Sequence, residues 1–441
     1  MKKRGIMILY AVICGVLSAA AILTLLLTRS PKPGTAEEAV YATQMESVAT
    51  ELTIQREQES VTLTTTGDVW VLNGDASIPV NDSKAAALAS AASHLRAGRA
   101  LQDIGPLSAY GLDRPAVSVT ASNPAGETAE IHIGSEVPGQ ASRYVLSGDT
   151  VYTVDADTAS GFDVGLTDLL AWDCMPDILS SELDSLYIER GSFELELLYD
   201  DTGRYPAYES IFEWFVGRPF ETPTAADTRK AHALFYDVTG LYIYGCAAFR
   251  PESLAAFGLE DPFFRTTVRY RDTGEDVHET TVAFGDVRED GFIYVRFDDS
   301  DQILLANASI AKQIAYTVPS DLLPRQICGI LLDTVTRLHI TAQAGEAVLE
   351  GDALHEKSFV RLYEALTAVV AAATAPDMTP QSDPVLTVEF ERNTGHDSHM
   401  ILQYYPYDDY HYLAVFNGRK NQLADRYELD AILDSLADYL Q

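Results

Sequence analysis

The chain has 441 residues, of which 47% are hydrophobic, and its formal net charge at pH 7 is −34. This apolar fraction is ordinary for folded domains, so an intrinsically disordered chain is excluded, and the length suits two or three domains. The strong negative charge disfavours nucleic acid and anionic lipid headgroups as partners.

The N-terminus carries the pattern of a membrane anchor. Basic residues 2–4 precede an apolar run at residues 6–27, and about twenty apolar residues span a bilayer as a helix. We predict a cytoplasmic stub and transmembrane anchor at residues 1–29, followed by a linker at 30–50. The basic flank predicts a single-pass protein of the cell membrane with its N-terminus in the cytoplasm and the bulk of the chain extracytoplasmic. A cleaved signal peptide is the alternative, but it would have a shorter apolar core.

The first predicted repeat, residues 51–165, begins with alternating apolar residues that are typical of strands. Asp82 and Ser83 can cap a helix. In chain order the predicted elements are strands at 52–56, 61–65 and 69–72, a helix at 84–97, strands at 116–121 and 128–133, and a hairpin at 143–146 and 150–154.

The second predicted repeat, residues 166–320, has the same order with larger insertions on both sides of its helix. Its elements are strands at 186–189 and 193–199, a helix at 225–238, and strands at 266–271, 279–284, 292–297 and 302–306.

A degenerate third repeat is predicted at residues 321–441. Its elements are strands at 337–341 and 347–350, a helix at 356–373, strands at 385–391, 400–404 and 412–416, and a closing helix at 427–440. The fold class predicted from this order is α+β, with an N-terminal transmembrane helix followed by about three tandem repeats. Each repeat would be a largely antiparallel sheet with one covering helix.

One hexapeptide pattern links helix to strand in the first two repeats. Its glycine can adopt a positive φ, its leucine can pack as an anchor, and its proline suits the start of a strand. A second glycine follows at the end of a later strand. We therefore interpret these residues as a structural motif: Tyr110, Gly111, Leu112, Pro115 and Gly134 in the first copy, and Phe257, Gly258, Leu259, Pro262 and Gly285 in the second. In the third repeat only Asp383 and Pro384 take the place of the hexapeptide.

These motifs, with the hairpin pairs Tyr144-Val145, Val151-Tyr152 and Tyr294-Val295, resemble the domain-of-unknown-function family 4340. The resemblance implies one N-terminal membrane helix and tandem copies of the domain. It implies no catalytic residues, and we predict no cofactor. Members often accompany an ABC-type export system, so the resemblance implies an accessory role at the cell envelope, with an ABC-transporter permease or other envelope proteins as partners.

Two sets of side chains in the third repeat offer chemistry. Imidazoles and carboxylates bind divalent metals, and the metal candidates are His396, His399, Asp408, Asp409 and His411. Solvated loop residues are the competing interpretation. A run of tyrosines, which could fill the core or bind a glycan or a partner, comprises Tyr404, Tyr405, Tyr407, Tyr410 and Tyr412.

The sequence contains no nucleophile elbow, P-loop or His-Glu-x-x-His motif. We therefore predict a non-enzymatic, membrane-anchored extracytoplasmic binding or scaffold protein. The alternatives are an extracytoplasmic, metal-dependent hydrolase that uses the histidine cluster, and a glycan-binding protein.

Overall fold

The computed structural model describes residues 39–441, except residues 66, 68, 203, 206–212, 221–222, 275, 375–378, 396, 438–439 and 441. Two compact units divide between Ala171 and Trp172. The first unit holds a two-stranded and an eight-stranded sheet, and the second holds a nine-stranded and a seven-stranded sheet. The residue borders of the three predicted repeats stay predictions.

The described part of the first unit alternates strands with two α-helices. Its elements are β1 (Val40–Tyr41), β2 (Glu51–Arg56), β3 (Ser60–Thr65), β4 (Trp70–Leu72), α1 (Asp82–Ser93), β5 (Arg96–Ala97), β6 (Arg99–Ala100), β7 (Val117–Ser122), β8 (Thr128–Glu136), β9 (Ser142–Ser147), β10 (Thr150–Asp155) and α2 (Ala156–Ser160). The eight-stranded sheet has the order β4-β3-β2-β7-β8-β9-β10-β6, with antiparallel pairing throughout.

The nine-stranded sheet of the second unit comes from residues 183–307. Its elements are β11 (Leu183–Arg190), β12 (Phe193–Tyr199), β13 (Trp214–Val216), β14 (Thr224–Ala225), α3 (Thr228–Thr239), β15 (Gly245–Phe249), β16 (Phe264–Arg271), β17 (Val277–Val287), β18 (Phe292–Phe297) and β19 (Gln302–Asn307), followed by α4 (Ala308–Tyr316) and α5 (Pro319–Leu322). The strand order is β14-β13-β12-β11-β16-β17-β18-β19-β15, again antiparallel.

The seven-stranded sheet follows the same plan with fewer strands. Its elements are β20 (Val335–Ala342), β21 (Gly345–Glu350), α6 (Lys357–Ala368), β22 (Ala371–Thr374), β23 (Leu386–Arg392), β24 (His399–Pro406), β25 (His411–Phe416), β26 (Arg419–Asp425) and α7 (Arg426–Leu436). The order β21-β20-β23-β24-β25-β26-β22 is antiparallel. In each large sheet the strand that follows the main helix lies at one end.

The main helix of each large sheet packs on it through one apolar stripe. The buried positions fall at i, i+3, i+4 and i+7, which places them on one face of a helix. They are Ala85, Leu88, Ala89 and Ala92 in α1, Ala231, Leu234, Phe235 and Val238 in α3, and Phe359, Leu362, Tyr363 and Leu366 in α6. Side chains that alternate inward along the strands meet this stripe, and burial of each large one contributes roughly 1.5–3 kcal/mol.

The predicted fold class is wrong in two respects. The described residues form mostly antiparallel sheets, four of them, with few helices, rather than three sheets with one covering helix each. No helix in the part of the chain that the structure describes is long and apolar enough to cross a membrane, so the transmembrane helix of the predicted class is not supported. The run at residues 6–27 that suggested it lies outside the described residues.

The error in strand content has a physical origin. The alanine-rich stretch predicted as the end of a helix is the strand β22, and α6 already ends at Ala368. Small residues carry no period of their own, so the hydrogen bonds that β26 offers decide their conformation. The helix α4 was also missed by sequence reasoning.

Candidate functional site

The hexapeptide motif forms a tight joint between a short helix and a strand, which we call the aromatic–glycine joint. In the first copy a 3-10 helix ends at Tyr110, and Gly111 caps it with a φ of 67°. Leu112 is buried, and β7 begins two residues after Pro115. A Cβ atom at Gly134 would lie 2.3 Å from the carbonyl oxygen of Tyr110, so only glycine fits there.

The second copy repeats this geometry. Gly258 has a φ of 66° and caps the 3-10 helix that ends at Phe257, while Leu259 is buried. A Cβ at Gly285 would lie 2.1 Å from the carbonyl oxygen of Phe257. β16 begins two residues after Pro262. The atoms that face the second glycine of the joint are a carbonyl group and apolar side chains. The joint therefore has a role in packing.

The aromatic residue of each joint packs on a tyrosine of the neighbouring hairpin. The ring centroids of Tyr110 and Tyr144 are 4.9 Å apart, and those of Phe257 and Tyr294 are 5.0 Å apart. Both pairs are edge-to-face, the favoured arrangement for aromatic rings. These contacts therefore hold each joint against the strand that carries its second glycine and against the strand next to it.

The metal candidates of the seven-stranded sheet are spread along it. His399 begins β24, and its Nε2 lies 3.6 Å from Oε2 of Glu389. His411 begins β25, and its Nδ1 lies 3.0 Å from Oδ1 of Asp408. The register pairs Pro406, at the far end of β24, with a residue next to His411. The two histidines therefore sit about 25 Å apart along the strand.

This separation bears on the predicted metal centre. No group of three or more His, Cys, Asp or Glu side chains could hold a metal among the residues that the structure describes. His396 lies outside the described residues, and Asp409 is exposed in the turn. Hydrogen bonds from the backbone N–H of Tyr410 and from His411 outweigh desolvation and hold the pKa of Asp408 below its usual range.

A ladder of imidazoles and carboxylates crosses the outer face of the same sheet. Nε2 of His339 lies 2.6 Å from Oε1 of Glu346, and its Nδ1 lies 3.8 Å from Oε1 of Glu389. Arg337 lies 2.7 Å from Glu350 and 2.9 Å from Glu391. Sequence reasoning missed this ladder, although strand alternation places all these residues on the face opposite the core.

The predicted run of tyrosines does not lie on one surface, because strand alternation and the turn bury some of its members and expose others. Tyr404 and Tyr412 are buried, whereas Tyr407 and Tyr410 are exposed. Burial raises the pKa of Tyr404 well above its usual value. The hydroxyl of Tyr412 donates a 2.6 Å hydrogen bond to Asp430. The run is therefore partly core, and it leaves no continuous row of exposed rings.

A different group of exposed rings lies at the nine-stranded sheet. Tyr242 and Tyr244 are 70% and 50% exposed, and their ring centroids are 4.8 Å apart. Tyr244 also lies 5.1 Å from the ring of Phe292. We call Tyr242, Tyr244 and Phe292 the tyrosine patch. Sequence reasoning missed it, although Leu241 and Ile243 are buried and the alternation over these four residues could have revealed it.

A cleft of about 560 Å³ opens elsewhere in the second unit, beside α3, the chain at residues 320–325 and β22. Burial raises the pKa of Asp237, although Nε2 of Gln313 donates to its carboxylate at 2.8 Å. Lys230 and Arg325 also line the cleft. A carboxyl group of raised pKa in a cleft that two cations also line suits a polar ligand, and these groups come from segments too distant in sequence to form a motif.

One buried carboxylate stabilises a loop. Asp200 accepts hydrogen bonds from the backbone N–H groups of Thr202 and Tyr205 at 2.9 and 2.8 Å, and from the Thr202 hydroxyl at 2.6 Å. Burial alone would raise the pKa of Asp200, but these hydrogen bonds outweigh it and keep the pKa below its usual value. Asp200 is therefore structural.

Comparison with known proteins identifies a family. A family model described as "Domain of unknown function (DUF4340)" matches residues 70–189 and 214–380, which is more than half of the chain. The two matched segments contain both aromatic–glycine joints. No curated protein and no solved structure matches the chain.

Proposed function

Because the chain belongs to the family described as a domain of unknown function (DUF4340), whose description names no activity, we propose a function from its surfaces. We propose that it is a non-catalytic binding or scaffold protein that docks a partner on the tyrosine patch. The observation that carries the proposal is the contact between two largely exposed tyrosines and a third ring. Contiguous exposed aromatic rings mark interaction surfaces more often than single ones do.

The chemistry of the patch favours a protein partner. Tyrosine combines a large apolar ring with a hydroxyl, and it loses little side-chain entropy on binding. The buried residues Leu241 and Ile243 fix the backbone that carries the two tyrosines. The rings are therefore held in place before a partner arrives, which lowers the entropic cost of docking.

Site-specific photo-cross-linking in the cells that make the chain tests this proposal. A photoreactive phenylalanine at position 242 should give a discrete cross-linked product, and Tyr244→Ser should weaken it. The same group at position 410 is the control, because Tyr410 is equally exposed but lies on another sheet. Equal products at both positions, or none at position 242, would contradict docking at the patch.

The identity of the cross-linked partner tests the role at the cell envelope. An ABC-transporter permease or another envelope protein would support the proposed accessory role. The location of the chain at the cell membrane also stays a prediction, because residues 1–38 lie outside the described residues. Fractionation of the full chain into membrane and soluble pools tests that location.

Glycan binding is a second candidate function for the same surface. Exposed aromatic rings can stack on the apolar faces of sugars as well as on protein side chains. A polysaccharide pull-down separates the two functions, since the Tyr242→Ser chain would lose retention only if the rings stack on sugars.

A further inference from the structure

Among the residues that the structure describes, no strand pairs with the outer edge of β21, which lies at one end of the seven-stranded sheet. The unpaired backbone groups of a free strand edge can pair with another chain, and proteins usually protect such edges with short strands or bulges. The other ends of the three large sheets follow this rule. The end strands β4, β6 and β14 have three, two and two residues, and β15 and β22 carry register shifts. In contrast, β21 has six residues in unbroken register with β20.

The other two large sheets cover the equivalent edge. The strand that corresponds to β21 is β3 in the eight-stranded sheet and β12 in the nine-stranded sheet. There β4 pairs with β3, and β13 with β12. After β21 the chain passes directly through the 3-10 helix Gly351–His355 into α6. Among the described residues, therefore, no strand occupies the position that β4 and β13 hold.

Without a second strand beside β21 among the described residues, apolar side chains at the edge of the core stay partly exposed. The inward side chains of β3 and β12 are fully buried: Val61, Leu63, Leu195 and Leu197 are each at most 1% exposed. The corresponding residues of β21, Ala347 and Leu349, pack on the core but are only partly buried. On the opposite face Val348 is 48% exposed. A further strand would cover apolar surface as well as unpaired backbone groups.

We propose that an extended segment of a partner protein pairs with the outer edge of β21 and completes the seven-stranded sheet. The backbone of the segment supplies the hydrogen bonds that β4 and β13 supply in the other sheets. Its inward side chains are apolar and extend the core beyond Ala347 and Leu349. This surface belongs to a different sheet from the tyrosine patch, and it goes beyond the docking role proposed there.

The carboxylates of β21 favour a partner segment of positive charge. Glu346 and Glu350 project on the outer face of β21, and carboxylates can accept more bonds than the single pairs they make with His339 and Arg337. A second copy of this chain, paired antiparallel and centred on Val348, would place Glu346 opposite Glu350 of the other copy. Like charges directly opposite destabilise a strand pair, and the net charge of −34 adds repulsion.

The segment that fits is therefore basic on its outer face and apolar on its inner face. In an antiparallel partner, basic residues lie opposite Glu346 and Glu350, and apolar residues lie opposite Ala347 and Leu349. The peptide Lys-Val-Thr-Val-Lys, extended by glycine at both ends and labelled with a fluorophore, has this pattern. Specificity comes from alternate side chains and affinity from the backbone, as in other cases of strand addition.

Fluorescence anisotropy with the full chain and two peptides tests the proposal. The lysine peptide should bind the native chain, and Glu346→Lys/Glu350→Lys should weaken it by about tenfold or more. The same variant should gain binding of the matching Glu-Val-Thr-Val-Glu peptide. Glu130→Lys/Glu136→Lys is the control, because it makes the same change of charge on β8, which is paired on both edges. This control should leave binding unchanged.

Amide hydrogen exchange separates strand addition from loose ionic attraction. The lysine peptide should slow exchange within residues 345–350 in the native chain and in the Glu130→Lys/Glu136→Lys control, but not in Glu346→Lys/Glu350→Lys. The proposal is overturned if no binding occurs up to about 1 mM peptide, if the charge-reversed chain binds the lysine peptide as well as the native chain does, or if exchange in β21 stays unchanged. A dimer of this chain formed through β21 would overturn the assignment of a basic partner.

Discussion

The glycine of the second aromatic–glycine joint offers the sharpest test of the fold. In Gly285→Ala the new Cβ would lie 2.1 Å from the carbonyl oxygen of Phe257 and 3.0 Å from Cγ of Leu259. A carbon normally approaches a carbonyl oxygen no closer than about 3.3 Å. The joint must therefore open by about 1 Å, and backbone cannot swing aside as a flexible side chain can.

The cost of this opening can be estimated. Overpacking of a well-packed site lowers the free energy of unfolding by roughly 1–3 kcal/mol. Because backbone must move in Gly285→Ala, we expect a loss toward the upper end of this range, at about 2–3 kcal/mol. Urea unfolding followed by tryptophan fluorescence measures it, because Trp214 is buried in the same sheet. With a slope of about 2 kcal/mol per molar urea, the midpoint should fall by about 1 M.

A matched substitution in the same sheet provides the control. In Gly245→Ala the new Cβ would meet only Cδ1 of Leu305, at an ordinary contact distance of 3.8 Å, and this glycine needs no positive φ. Its stability should change by less than about 0.5 kcal/mol or rise slightly. Equal losses for the two variants, or a loss below about 0.5 kcal/mol for Gly285→Ala, would refute the joint as the constraint on that glycine.

Three further predictions concern other residues. Asp200→Asn should lower the free energy of unfolding by about 1–3 kcal/mol at pH 7. The folded pKa of Asp200 lies below the unfolded value near 3.9, so the native chain loses this stabilisation as the pH falls. The difference in melting temperature between the two proteins should therefore shrink below about pH 4. A double-mutant cycle of Phe257→Leu and Tyr294→Leu should give a coupling energy of about 0.5–1.5 kcal/mol, and a coupling near zero would show that the rings pack independently. Zinc should leave the melting temperatures of the native chain, His399→Asn and His411→Asn unchanged. A zinc-dependent rise in the native chain that is lost in both variants would contradict this expectation and support the predicted metal centre.

The sequence by itself determined the local features of the fold. The helix α3, which was predicted at 225–238, forms at Thr228–Thr239, because its apolar residues recur at helical spacing. The glycine and proline positions of both joints were readable because these residues have backbone constraints of their own. Family membership followed from the same motifs, and the family model confirms it.

Only the tertiary structure decided the composition of the sheets and of the surfaces. The strand β22 forms because β26 lies beside it, and its four residues carry no signal of that neighbour. Register, which depends on distant pairings, places His399 at one end of β24 and His411 beside the other end, and it brings His339 to Glu389 across the β20–β23 pair. The open edge of β21 likewise exists only because no other strand reaches it among the described residues. Local pattern fixes which face of a strand is apolar, but long-range pairing decides which strands are neighbours and which edge stays free.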